Sequence, residues 1–122
     1  MRRDAAEGAQ ISKEFKNDVC ILHLSGQMRE MGADVLREEL DQVLENGDYK
    51  LIFEMGDVSF ISSTGLGQIM RAFRTAGQND GFVRVVNPQP LVEEVFRATK
   101  LHTLIGIFST IEDAIDEKGR RT

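Results

Sequence analysis

The stretch Asp57-Val58-Ser59-Phe60-Ile61-Ser62-Ser63-Thr64-Gly65-Leu66-Gly67 decides the reading of this chain. Before it, Leu51-Ile52-Phe53 is a short run of strand-forming apolar residues; after it, Leu66, Ile69, Met70 and Phe73 recur at helical spacing. A strand therefore gives way to a helix, with Ser62, Ser63 and Thr64 at the junction. The first turn of a helix leaves backbone N–H groups without partners, and a Ser or Thr oxygen can accept from them. One reading of the hydroxyls is a helix cap. The other is a phosphate acceptor at the positive end of the helix.

Gly65 and Gly67 sharpen the question. Each glycine inside a helix costs roughly 1 kcal/mol relative to alanine. Either the helix packs so closely there that a Cβ would clash, or another protein's surface approaches the backbone. Small residues beside the hydroxyls also keep them accessible, as a kinase would need.

Working outward, residues 1–10 are polar and aperiodic and read as a loose leader. Residues 11–15 and 19–25 read as two strands joined through Lys16-Asn17-Asp18, where Asn and Asp suit a tight turn. Gly26 is expected to end the second strand and open a connection to Gly32. From Ala33, apolar residues at Leu36, Leu40, Val43 and Leu44 form one helical face, and Asn46-Gly47 stops it. A third strand over residues 49–55 precedes the opening stretch, which is expected to be a loop. The helix after it should run to Ala76, with Gly77 in a left-handed end. Residues 82–86 read as an interior strand. Asn87-Pro88-Gln89-Pro90 starts another helix with Leu91, Val92, Val95 and Phe96 as its buried stripe. Residues 101–108 are an apolar linker ending in a short strand over 105–108. Ser109-Thr110-Ile111-Glu112 has the spacing of a capping box for a last helix, and residues 118–122 read as frayed. Strands followed by alternating helices and strands predict one domain over residues 11–117. Its expected architecture is an α/β sandwich with a mixed sheet of four or five strands flanked by about four helices.

The 122 residues suffice for a single core, and 15 Lys and Arg against 20 Asp and Glu, without a basic stripe, argue against nucleic-acid binding. Cys20 is the only cysteine, which precludes an internal disulfide. Its apolar neighbours predict a buried thiol in a reduced, cytoplasmic protein. No apolar run reaches the roughly 18 residues that a membrane span needs, and Arg2 and Arg3 lead into no hydrophobic signal segment. Any membrane role would have to come through a partner. Catalytic parts are few. His23 and His102 lie far apart, no close set of His, Cys and carboxylate ligands suggests a metal, and no nucleotide-cradling glycine motif or Gly-x-Ser-x-Gly is present. No cofactor is expected.

From Phe53 through Met55, Asp57 and Phe60 to Gly67, the sequence resembles the signature of the STAS domain, in particular the bacterial anti-sigma factor antagonists. The resemblance extends over residues 11–115. It implies a four- or five-stranded sheet with flanking helices. It also implies partner switching, in which the unmodified antagonist captures an anti-sigma factor that is a serine kinase, phosphorylation ends the capture and a phosphatase resets it. Matched residue by residue, the acceptor falls on Ser63. Ser62 stands where many members carry Asp, and Arg29 stands where many carry an acidic residue after the strand-ending glycine. Both changes make the local field less negative.

These readings place the partner-binding surface on Ser62, Ser63, Thr64, Gly65, Leu66, Gly67, Gln68 and Arg71, with Thr75 further along the helix and Arg29 beside it. For Gln68, Arg71 and Thr75 an ordinary solvated face is an equal alternative, and Arg29 could be solvated or could clamp a phosphate. Stand-alone domains of the resembled family also serve ABC-type lipid-transport ATPases, so a non-phosphorylated transport subunit is the runner-up. An enzyme with Ser63 as nucleophile is a third, lesser reading.

Overall fold

The computed structural model describes residues 8–121. Five strands form one sheet in the order β1-β2-β3-β4-β5: β1 (Gln10–Lys16), β2 (Val19–Met28), β3 (Lys50–Ile61), β4 (Phe82–Val86) and β5 (Gly106–Phe108). β1 pairs antiparallel with β2 through the turn at Asn17, which takes the left-handed conformation expected of it (φ 59°). The remaining pairs are parallel. Their crossovers are α1 (Glu30–Glu45), α2 (Ser63–Gln78) and α3 (Pro90–Ala98), and α4 (Ile111–Asp116) follows β5. Three right-handed steps in one direction put all three crossover helices on one face of the sheet.

The core follows from that asymmetry. Leu36, Leu40 and Val43 of α1, Leu66, Ile69 and Ala72 of α2, and Val92 and Phe96 of α3 pack on Leu22, Phe53, Met55 and Val85 of the sheet. On the other face Ile21, Ile52, Val86 and Phe108 form a smaller cluster with Ala114 of α4, flanked by Phe82, Ile111 and Ile115. Cys20 is fully buried on the helical side, as its neighbours predict, and burial pushes its thiol up to about 11.

Several boundaries move for physical reasons. Strand order begins at Gln10, and Ala9 is already buried, so the loose leader does not extend to residue 10; residues 1–7 lie outside the described residues. β2 does not end at Gly26. It bulges there and continues to Met28, because Gly26 (φ 92°) lies directly on the Gly8 carbonyl, where a Cβ could not fit. The expected connection over residues 26–32 is therefore strand and then helix, with α1 starting at Glu30. Likewise the opening stretch is not a loop. β3 runs on to Ile61 beside Gly26, Gln27 and Met28, with Val58 and Ile61 buried and Asp57 and Ser59 exposed.

Gly77 stays inside α2, and Asp80 (φ 61°) takes the left-handed position instead. Leu91 is 61% exposed, so the buried stripe of α3 is Val92 and Phe96 with Val95 half covered. β5 starts one residue later than expected, after a 3₁₀ turn at Leu101–Thr103. The cap of α4 is Thr110, whose Oγ1 accepts from the Asp113 N–H at 3.1 Å, not a box built on Ser109. Residues 120 and 121 are tied down: the Arg121 N–H donates to the Ile107 carbonyl at 2.7 Å, and Arg120 donates to the His102 carbonyl at 3.0 Å.

Candidate partner-docking site

The junction of β3 and α2 is fixed by Met28 at the end of β2. The backbone N–H and the Oγ of Ser62 both donate to the Met28 carbonyl, at 2.9 and 3.1 Å. The same Oγ accepts from the Gly65 N–H at 3.2 Å, and the Ser62 carbonyl takes the first helical bond, from Leu66, at 2.9 Å. Ser62 is thus the cap among the three hydroxyl residues, and its hydroxyl is committed as both donor and acceptor. A carboxylate at this position could accept from Gly65 but could not donate to Met28.

Ser63 and Thr64 occupy the first turn with exposed side chains, and neither hydroxyl has a hydrogen-bond partner among the described residues. The two glycines differ in environment. A Cβ on Gly65 would stand 2.9 Å from Ile61 Cγ1 and 3.0 Å from the Met28 oxygen, so its smallness serves the close approach of α2 to the sheet. A Cβ on Gly67 would meet nothing within 4 Å. Leu66 between them is buried in the core.

Gln68 and Arg71 lie on the side of the exposed face of α2 that is nearer α1. Arg71 Nε donates to Gln68 Oε1 at 3.1 Å, and its Nη2 pairs with Asp41 of α1 at 3.0 Å and reaches the Arg37 carbonyl at 3.4 Å. This links α2 to α1. Thr75 is half-buried, and its carbonyl accepts from Asn79 Nδ2 at 2.8 Å. Positions i+4 and i+11 from Ser63 are Gly67 and Arg74, both exposed. The helical period puts Arg74, a residue that the sequence analysis does not name, on the face of Ser63. α2 contains two arginines and no carboxylate, in a chain of net charge −5. Arg71 is paired with Asp41, whereas Arg74 has no carboxylate partner among the described residues.

Arg29 is exposed before α1. Its guanidinium lies over the Phe60 ring, 4.3 Å from the centroid, and its Nε donates to Gln27 Oε1 at 2.8 Å. Neither histidine serves Ser63. His23 Nε2 meets Glu14 Oε1 at 2.6 Å across β1 and β2, and His102 Nδ1 lies 3.4 Å from the Phe96 carbonyl.

These features define an α/β sandwich with a glycine-flanked, exposed hydroxyl pair at the first turn of a helix. Residues 10–114 match the STAS domain, and the chain belongs to that family. The Bacillus subtilis anti-sigma-B factor antagonist is 29% identical over 104 residues, covering 84% of this chain and 93% of the relative. The solved structure of the Thermotoga maritima protein TM1081 superposes with a TM-score of 0.83 at 28% identity, covering 88% of this chain and 92% of that one. The anti-sigma factor antagonist SpoIIAA of Bacillus shares the fold. Its unphosphorylated form superposes with a TM-score of 0.77 at 23% identity, covering 88% of this chain and 95% of that one. Its phosphorylated form gives 0.71 at 22%, covering 88% and 98%.

Proposed function

We propose that this chain is a cytoplasmic anti-sigma factor antagonist that works by partner switching. Unmodified, it captures an anti-sigma factor with serine kinase activity through the exposed face of α2; phosphorylation of Ser63 ends the capture, and a phosphatase restores it. The observation that carries this reading is the division of labour among the hydroxyls. Ser62 is consumed by Met28 and Gly65, whereas Ser63 is exposed and free beside Gly67, whose Cβ position is open. The solved SpoIIAA forms, unphosphorylated and phosphorylated, support the comparison by fold.

The physics of the switch follows from position. A phosphoryl group brings a charge of about −1.5 to −2 at neutral pH and strong acceptor oxygens. At a helix N-terminus such a charge is favourable, so the domain keeps its fold. A partner seated on α2 would instead have to bury an unpaired dianion, which repels it. Ser63, Thr64, Gly67 and Arg74 form the contact face in this reading, and Ser62, Gly65 and Leu66 hold its shape. Gln68 and Arg71 stand at the rim, turned towards α1, and Arg29 is an outlying cation. No observation of the structure favours the transport-subunit alternative.

The test is phosphate transfer with the cognate kinase and ATP, read by intact mass. One phosphate should be added, lost in Ser63→Ala and retained in Thr64→Val, and Ser63→Asp should weaken the complex with the anti-sigma factor. An unmodified mass together with unchanged affinity for Ser63→Asp would sink the proposal.

A further inference from the structure

We propose that a half-enclosed cavity of about 160 Å³, between the C-terminal half of α2 and the unpaired start of β4, binds a small aromatic carboxylate. It lies well along α2 from Ser63 and does not depend on the partner-switching reading.

The cavity exists because β5 is short. Pairing between β4 and β5 begins only at Arg84 and Gly106, which leaves Phe82 and Val83 without a neighbour on that edge. α2 covers the gap with Phe73 and with Gly77, where a Cβ would meet nothing within 4 Å. Leu104, 54% exposed, stands at the rim, and Phe82 and Phe108 complete an apolar lining rich in rings.

Its polar end holds two guanidiniums. The Arg84 side chain is 15% exposed, lies over the Phe82 ring at 3.6 Å from the centroid and donates to the Ala114 carbonyl at 2.8 Å. Its one carboxylate neighbour among the described residues is Glu117, at 3.5 Å, beyond the end of α4 and 64% exposed. Arg120 donates through Nη2 to the carbonyls of His102 and Thr103, at 3.0 and 3.3 Å, and has no carboxylate partner among the described residues. Burial is the main influence drawing the Arg84 pKa below its ordinary value; Glu117 opposes it and the nearby Arg120 adds to it.

Among the described residues, two guanidiniums against one loosely held carboxylate leave about one positive charge uncompensated, which suits a monoanion. Guanidinium groups recognise planar carboxylates through paired N–H donors. The cavity as a whole is close in volume to the roughly 150 Å³ that holds benzene, and it is open on one side, so a ring can enter with its carboxylate at the arginine end. The exposed Glu117 carboxylate is the group that such a ligand would displace or share.

Phenylacetate is the probe. Titrated into the isotope-labelled full chain, it should give saturable amide shifts at Gly77, Leu104 and Gly106. Affinity should fall at least tenfold in Arg120→Gln, and Gly77→Leu should abolish binding while the fold is retained. The neutral isostere phenylacetamide should bind at least tenfold more weakly than the acid. The proposal is overturned if the amide binds as well as the acid, if Arg120→Gln leaves affinity unchanged, if inorganic phosphate saturates the site below the phenylacetate concentration, or if no saturable shift is seen.

Discussion

Alanine at Gly65 and alanine at Gly67 should move stability in opposite directions, although both replace a glycine in the opening turns of α2. Removing a glycine from a helix gains up to ~1 kcal/mol. At position 67 nothing opposes that gain, because the new Cβ meets no atom within 4 Å, so Gly67→Ala should stabilise the fold by roughly 0.5–1 kcal/mol. At position 65 the Cβ would stand 2.9 Å from Ile61 Cγ1 and 3.0 Å from the Met28 oxygen. Neither neighbour can retreat easily. The Met28 carbonyl is held by both donors of Ser62, and Ile61 is buried and paired with Met28 across the sheet. Overpacking of this kind costs roughly 1–3 kcal/mol, which exceeds the propensity gain and leaves Gly65→Ala about 1 kcal/mol less stable than the parent. The two variants should therefore differ by ~2 kcal/mol in urea unfolding, read as midpoints at a common slope. Gly65→Ala as stable as the parent, or Gly67→Ala less stable, would refute the reasoning. Binding adds an independent reading: if a partner approaches the backbone at Gly67, the stabilised variant should bind it more weakly, and unchanged affinity would remove Gly67 from the docking face.

Ser62→Ala should cost about 1 kcal/mol of unfolding free energy, since it deprives the Gly65 N–H of its acceptor and the Met28 carbonyl of one donor. Ser62→Asp should recover only part of that loss, because a carboxylate keeps the acceptor without the donor. For Cys20, a folded pKa raised to about 11 from an ordinary 9.0 means that its stabilising contribution is complete below pH 9.0 and is lost as pH rises towards 11. The loss amounts to roughly 2–3 kcal/mol, and urea midpoints at rising pH should show this extra alkaline decline in the parent and not in Cys20→Ala. Arg71→Ala should reduce stability by less than ~1 kcal/mol and leave partner affinity unchanged, because its charge is spent on the partly exposed Asp41. Arg74→Glu should weaken the complex in a titration against the anti-sigma factor.

The parts of the fold most legible in the sequence are those that local chemistry punctuates. Asn46 at the end of α1, Pro90 in the first turn of α3 and the apolar run of β4 all stand where they were expected. The misread boundaries depend on residues distant in sequence. Gly26 looks like a strand end, yet it is a bulge that admits the Gly8 carbonyl. The continuation of β3 to Ile61 was visible as alternation, with Val58 inward and Ser59 outward, but Asp57 and the serines looked like loop chemistry. At α4, Ser109 and Thr110 are adjacent hydroxyls, and spacing alone favoured the wrong one. The structure uses Thr110 because β5 still occupies Phe108, whose carbonyl accepts from the Asn87 N–H at 2.8 Å.

The same distinction governs the site. Local sequence placed three hydroxyls at one helix start but could not say which of them was a cap, because the deciding partner is the Met28 carbonyl, 34 residues earlier. Once Ser62 closes that link, the opening of α2 divides into an inward half, Gly65 and Leu66, and an outward half, Ser63 and Gly67. The bonds that fix the helix start all belong to the inward half and to Ser62. A group added to Ser63 would break none of them, and the helix N-terminus would favour its charge. Modification there can therefore change what binds α2 while α2 itself stays in place, which is the physical requirement of a switch that acts on a partner and not on the fold.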